Sequence, residues 1–412
     1  MRLLILGAGS CQLNAIIKAK EMGIEVVAAD YYSNAPGKAY SDFSDLTSTF
    51  DSDKMVQVAK KYQVDGVMTL GTDQPVYTCA HTAQKLSLPT LINGSTAKAV
   101  TNKRIMKSIM KGQNIPTAKY VLLSKDFKDH ELMDLSFPVV IKPLDSQGQR
   151  GVFKLNSIKE VRQHINETLS FSRENTVLIE EFYESDEITV SGWVHNQKLT
   201  ILTITDRLTF TQLPVIGISY GHIFPTKHFE KYYDKITQIS ETLVKAFQIQ
   251  NGPIYFQMLI GKEGVIVNEI ACRIGGAYED ELIPLLTGID ILEFLIKASL
   301  GKKYDVEALE NYHVENNKNF ASVQLFFAKQ GIIKQMTPFT KIKKLPFVEN
   351  GRHNYSIGDE MKAIENAAQR AGYMIITGEN RMNLERNIHE AFKHLEILDA
   401  QGRNLTVPYW AY

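Results

Sequence analysis

Short runs of apolar residues alternate with stretches of helical spacing along the first hundred positions. Leu3-Leu4-Ile5-Leu6 reads as a buried strand that stops at Gly7-Ala8-Gly9-Ser10. Ala15, Ile16, Ala19 and Met22 then recur on one helical face, and Gly23 closes the helix. A second strand over 24–29 ends at Asp30, a helix over 54–62 precedes a strand over 66–70, and a helix over 76–86 follows. Strands that are apolar at every position are covered on both faces, so this βαβα order predicts a parallel sheet.

The pattern changes near Thr101. A helix over 103–111 ends before Pro116. Strands over 119–123, 139–142, 151–155 and 176–181, with a helix over 158–169, predict a small α+β unit. Beyond Glu187 the chain becomes strand-rich, with strands over 188–193 and 199–205. A helix over 232–247 leads to strands over 254–260 and 265–270, joined by Gly261-Lys262-Glu263-Gly264 as a hairpin. Helices over 280–286 and 291–300 follow, 310–319 reads as a polar linker, and 320–412 mixes strands with a helix over 383–395. The expected class is α/β and α+β, with a Rossmann-like domain over 1–100, a second domain over 101–309 whose lid spans about 116–185, and a small C-terminal α/β element over 310–412.

Composition narrows the partners. The 412 residues carry 46 Lys+Arg against 46 Asp+Glu, which argues against a nucleic-acid or anionic-membrane coat, since both call for a basic excess. The apolar stretch 282–300 is interrupted by Pro284, Asp290, Glu293 and Lys297 and cannot span a bilayer. The N-terminal apolar run is too short for a signal segment. Three scattered cysteines, Cys11, Cys79 and Cys272, form neither a disulfide framework nor a zinc motif, and a reducing cytoplasm is expected.

Six features carry chemistry. Gly7-Ala8-Gly9 with Asp30 suggests a dinucleotide turn, but Gln12 stands where the third glycine of that fingerprint belongs. Lys103 opens a helix. Lys142 closes the apolar strand Val139-Val140-Ile141, where a charge calls for a partner such as phosphate. Asp145-Ser146-Gln147-Gly148-Gln149-Arg150-Gly151 is a small-residue loop that backbone N–H groups could wrap around phosphate oxygens. Glu180-Glu181-Phe182-Tyr183, with Glu187 beyond, could clamp a base. On the hairpin, Gln257 and Glu269 can face each other as hard oxygen ligands for Mg²⁺, and Arg273 lies four residues further on, before Gly275-Gly276. Taken singly, each has an ordinary structural explanation: a solvated lysine, a flexible loop, an ion pair.

In this order, the features resemble the ATP-grasp superfamily over nearly the whole chain. The resemblance implies ATP and Mg²⁺ as cofactors, with Lys103 and Lys142 on the nucleotide phosphates and Gln147 to Gly151 as the lid. Glu180 and the main chain of Glu181, Phe182 and Tyr183 would hold adenine, and Glu187 the ribose. Glu269 with Gln257 would hold the metal, and Arg273 would act with Lys142 on the transferred phosphoryl group. Gln257 and Ala271 depart from the commoner Glu and Asn of the family. The Arg273-Ile274-Gly275-Gly276 turn, the stretch 220–225 with His222, and the C-terminal element are similar to the amino-acid ligase branch, which implies substrate contacts at Gly275, Gly276 and His222. The expected activity is a carboxylate–amine ligase acting on small molecules through an acylphosphate, with no nucleic-acid or membrane partner and, as in similar enzymes, a homodimer. A purine-biosynthesis ligase, a nicotinamide-dependent oxidoreductase and a catalytically silent nucleotide sensor are the alternatives.

Overall fold

The computed structural model describes residues 1–210 and 216–407. The chain divides into two compact units. The first comprises Met1–Thr117, Thr189–Ile204 and Glu230–Asn317, and the second Ala118–Ile188, Thr205–Phe229 and Lys318–Tyr412.

In the first unit, strands Phe43–Asp45, Glu25–Ala29, Arg2–Leu6 and Gly66–Thr69 lie side by side in that order, all parallel. Alternate residues feed two cores. Leu3, Ile5, Val26 and Ala28 pack with Ile291, Leu292 and Leu295, whereas Leu4, Leu6, Val27 and Ala29 pack with Met55, Val58 and Ala59. That two-sided burial is why the strands carry apolar residues at nearly every position. Helix Ser52–Lys61 starts where the Asp51 side chain accepts from Lys54 N, and helix Lys103–Gly112 where Asn102 accepts from Ile105 N. A further helix, Gly94–Thr101, ends at that same Asn102. Its Gly, Ser and Thr residues are weak helix formers, so periodicity does not announce it, and the Thr96 hydroxyl is tied instead to Phe247 O. The hairpin Gly252–Gly261 and Gly264–Ala271 turns at Gly264, whose φ of +98° a side chain would resist.

Residues 310–319 are not the free linker that their polarity suggests. Helix Val306–Glu310 is followed by a single turn at Val314–Asn316. Val314 is buried, Tyr312 donates to Leu202 O, and Asn317 donates to Leu286 O.

In the second unit, strands Tyr120–Leu123, Val177–Glu181, Val139–Pro143 and Phe153–Leu155 form an antiparallel sheet in that order, covered by helix Ile158–Ser170. The last strand begins at Phe153, not at residue 151, because Gly151 sits in a turn at φ +68°. Strands Ser219–Phe224, Phe320–Ala328, Arg370–Gly378 and Val348–His353 also lie side by side in the second unit, in that order. Helix Arg381–Lys393 buries Leu384, Ile388, Ala391 and Phe392 against this sheet. No helix among the described residues is long and apolar enough to cross a membrane.

Candidate active site

The glycine turn after the first strand is closed by the protein's own groups. Gly7 N donates to Ala29 O, Ala8 N to Asp30 Oδ2 and Gly9 N to Gln12 Oε1. Gln12 is 4% exposed, and its Nε2 is bonded to Leu70 O. A dinucleotide pyrophosphate would need those same backbone donors, and the ribose would need Asp30, whose other oxygen holds Tyr32 N. The nicotinamide alternative therefore does not fit this turn, which serves as a scaffold.

The hairpin carries the metal candidates of the first unit. Counting back from the pair Gly261–Gly264, a regular ladder would set Gln257 opposite Asn268. A β-bulge intervenes: Met258 faces Val267, and Gln257 faces Glu269. The bulge sits where Val267 is held from outside the hairpin, its N–H donating to Pro116 O and its carbonyl accepting from Thr117 Oγ1. Thr117 in turn accepts from the ammonium of Lys107, a lysine buried one helical turn beyond Lys103. Such a bulge re-aims side chains. Glu269 Oε1 is 2.9 Å from Lys103 Nζ, so the expected phosphate lysine and the expected metal carboxylate are paired.

Arg273 is 8% exposed. Its Nε and Nη2 lie 2.7 and 2.6 Å from Asp73 Oδ1, and its guanidinium stacks 4.2 Å from the Tyr255 ring centroid. Burial opposes the Arg273 charge, but Asp73, Tyr255 and Glu279 outweigh it and raise the guanidinium above its ordinary value. Burial likewise pushes the Asp73 carboxyl up, against the pull of Arg273. Neighbouring Cys272 is pushed up to about 12 by burial, which leaves it an inert thiol.

The Gly275–Gly276 turn is held by the chain itself. Gly275 N donates to Glu279 Oε2, which also accepts from Ser191 Oγ at 2.7 Å, so that N–H is already engaged by the chain. Gly276 is a close-approach glycine: a Cβ there would stand 2.4 Å from Gly71 O. Gly276→Ala is expected to lower stability by about 1–3 kcal/mol through this backbone clash. Thermal denaturation of the purified variant checks it, and an unchanged midpoint would refute the packing argument.

The second unit holds the remaining candidates. The Lys142 ammonium is ion-paired with Glu180, and both side chains are largely covered. Glu181 Oε1 accepts from Ser136 N, Phe182 N donates to Pro138 O with Lys154 above its ring, and Tyr183 O accepts from Ser185 Oγ. The glycine loop is fastened at both ends. Asp145 accepts from Ser172 Oγ and Arg173 Nη1, while Gly151 O accepts from Thr168 Oγ1. Between these anchors lie Gln147 and Gly148, and Gly148 and Gln149 both adopt positive φ. Glu187 is 2.5 Å from Arg207 Nη1, and Arg207 also donates to Gly217 O. His222 lies directly opposite Arg207 on the next strand but is 1% exposed, its Nδ1 bonded to Thr205 Oγ1, so it is a packed residue in this conformation.

Asp73 and Arg207 were absent from the sequence-based set. Asp73 follows a strand end, as Asp30 does, and that placement was a usable signal. Nothing in the sequence around Arg207 marked it, because its partner Glu187 lies on a different strand.

Residues 135–281 match the ATP-grasp domain family, and residues 324–398 match L-amino acid ligase C-terminal domain 2. The chain thus carries an ATP-grasp domain followed by a C-terminal domain of the L-amino acid ligase type. Dapdiamide A synthase of Enterobacter agglomerans is 23% identical over 337 residues, covering 78% of each chain. The formate-dependent phosphoribosylglycinamide formyltransferase of Saccharolobus solfataricus is 26% identical over 214 residues, and the match spans 53% of its length, about half. In fold, the L-amino acid ligase of Bacillus licheniformis superposes with a TM-score of 0.80 at 18% identity, over 97% of this chain and 98% of that one.

Proposed function

We propose that the protein is an ATP- and Mg²⁺-dependent carboxylate–amine ligase acting on small, amino-acid-type substrates. The observation that carries this reading is the pairing of charges. Lys103 is held by Glu269, Arg273 by Asp73, Lys142 by Glu180 and Glu187 by Arg207. Each pair keeps a buried or half-buried charge neutralised without ligand. Each can exchange its partner for a phosphate, a metal or a sugar hydroxyl.

In this reading Lys103 and Lys142 bind the nucleotide phosphates, and Gln147 to Gly151 close over them. Glu180 and the main chain of Glu181, Phe182 and Tyr183 meet the adenine, and Glu187 the ribose. Gln257 and Glu269 would supply two oxygen ligands to Mg²⁺, whose charge would offset that of the nucleotide phosphates. The donor set fits that ion in kind: an amide oxygen and a carboxylate face each other across the hairpin, both hard oxygen ligands. A substrate carboxylate oxygen attacks the γ-phosphorus, ADP leaves, and an amine then displaces phosphate from the acylphosphate with loss of one proton. The protein contributes positioning and charge neutralisation, which dominate phosphoryl transfer. The match at 324–398 supports amino-acid substrates over purine intermediates.

Two measurements test the proposal. ATP with Mg²⁺ is expected to stabilise the protein, by about 2.7 kcal/mol at a ligand concentration near 100 times Kd, while NADH is not. Stabilisation by NADH alone would overturn the nucleotide assignment. ADP release is then measured across amino-acid pairs and purine intermediates. Release that depends on an added carboxylate supports the ligase, release only with a purine intermediate moves it to the purine-type alternative, and none with any carboxylate leaves the silent nucleotide sensor.

A further inference from the structure

Arg273 does not stand alone in its pocket; a second loop is built around it. The guanidinium presents Nε and Nη2 to one oxygen, Asp73 Oδ1, and lays a face on Tyr255. Tyr255 is itself fixed through its hydroxyl, which accepts from Thr189 Oγ1. The third nitrogen, Nη1, reaches Ile274 O only at 3.4 Å, a long contact that leaves this edge of the fork as the one able to turn to an anion.

The loop that carries Asp73 is keyed to the turn that carries Arg273. Gly71 adopts φ +73° and donates its N–H to Ile274 O. Gly276 packs closely on Gly71: a Cβ at Gly276 would stand 2.4 Å from Gly71 O, and one at Gly71 3.2 Å from Gly276 Cα. Thr72 contacts the Gln12 amide, which also holds Leu70 O, so the loop is braced from behind as well. A surface ion pair would need none of this.

From these contacts we propose that Asp73 is a positioning residue for Arg273: it fixes the guanidinium by its Nε–Nη2 edge so that the Nη1 edge meets the transferred phosphoryl group and the acylphosphate. The role rests on the ligase reading above. Its chemistry is preorganisation. A flexible arginine would have to be oriented during the reaction, whereas one held by a carboxylate, an aromatic face and a braced loop is already in place when charge develops. Asp73 touches neither substrate nor nucleotide in this role. Its replacement should therefore lower turnover and spare ATP binding.

Asp73→Asn keeps the shape and one acceptor oxygen but removes the charge, and Asp73→Ala removes both. In carboxylate-dependent ADP release, kcat is expected to fall about ten- to a hundredfold for Asp73→Asn and further for Asp73→Ala, with KM for ATP within about twofold of the parent. In parallel, the rate at which phenylglyoxal modifies Arg273, followed by peptide mass, is expected to rise several-fold in Asp73→Asn because the guanidinium is released. A kcat for Asp73→Asn within about twofold of the parent would overturn the positioning role. So would a rise in KM for ATP with kcat unchanged. If the parent itself releases no ADP with any carboxylate, the ligase reading fails separately, and the modification rate decides the pairing: an unchanged rate refutes it, and a faster one upholds it.

Discussion

Glu269→Ala is expected to lower carboxylate-dependent ADP release by about 10³-fold or more while the protein still folds. Glu269 is the one carboxylate opposite Gln257 on the hairpin, and an amide oxygen alone is a poor ligand set for Mg²⁺. The substitution also leaves Lys103 without the carboxylate 2.9 Å away, so the charge pattern that receives the phosphates changes as well. Stability should change little. The Glu269 side chain is 30% exposed, and a pair so open to water contributes on the order of 1 kcal/mol or less. Glu269→Gln, which keeps an oxygen but drops the charge, should fall between the parent and alanine. Steady-state kinetics at saturating Mg²⁺, with circular dichroism to confirm folding, tests this. Parental turnover in Glu269→Ala would remove the metal assignment.

The largest effect on stability is expected at Trp193. Its side chain is fully buried in the first unit, edge-on to Phe294 at 5.8 Å and to Tyr304 at 5.2 Å between ring centroids. Its Nε1 donates to the Tyr304 hydroxyl, which also meets His195 Nδ1 at 2.8 Å. Trp193→Ala removes the transfer energy of the ring, opens a cavity and breaks this chain of contacts, at a cost of about 3–5 kcal/mol. Trp193→Phe keeps most of the apolar volume and should lose less than half of that. Urea denaturation should show a lower midpoint at an unchanged slope. A midpoint within error of the parent for Trp193→Ala would mean that this cluster is not a load-carrying part of the core.

Much of the fold was legible because burial leaves a periodic trace. Strands Arg2–Leu6 and Glu25–Ala29 are apolar throughout since both faces are covered, and helix Ser52–Lys61 shows one apolar face. Helix Gly94–Thr101 and the packed segment 310–319 were not legible. Their residues are polar or poor helix formers, and what orders them is contact with distant chain: Phe247 O for the helix, Leu202 O and Leu286 O for the segment. Among the candidate site residues, the lysine that ends an apolar strand and the small-residue loop stood out because each breaks a local rule. Arg207 breaks none, and Asp73 is marked only by its place after a strand end.

The identities of the charged groups, their order along the chain and the strands that bear them follow from sequence alone, because strand ends and turns are local matters. Which groups meet does not. Gln257 and Glu269, which the sequence sets as a facing pair, do stand opposite each other, yet a regular ladder counted from Gly261–Gly264 would put Gln257 opposite Asn268; their register comes from a bulge beside Val267, which Pro116 and Thr117, some 150 positions away, hold in place. In the same way, the Gly7 turn has the outline of a dinucleotide loop until Gln12 and Asp30 fold in and take its N–H groups. A backbone donor or a side-chain face belongs to whatever reaches it first in space, and only the folded chain decides that.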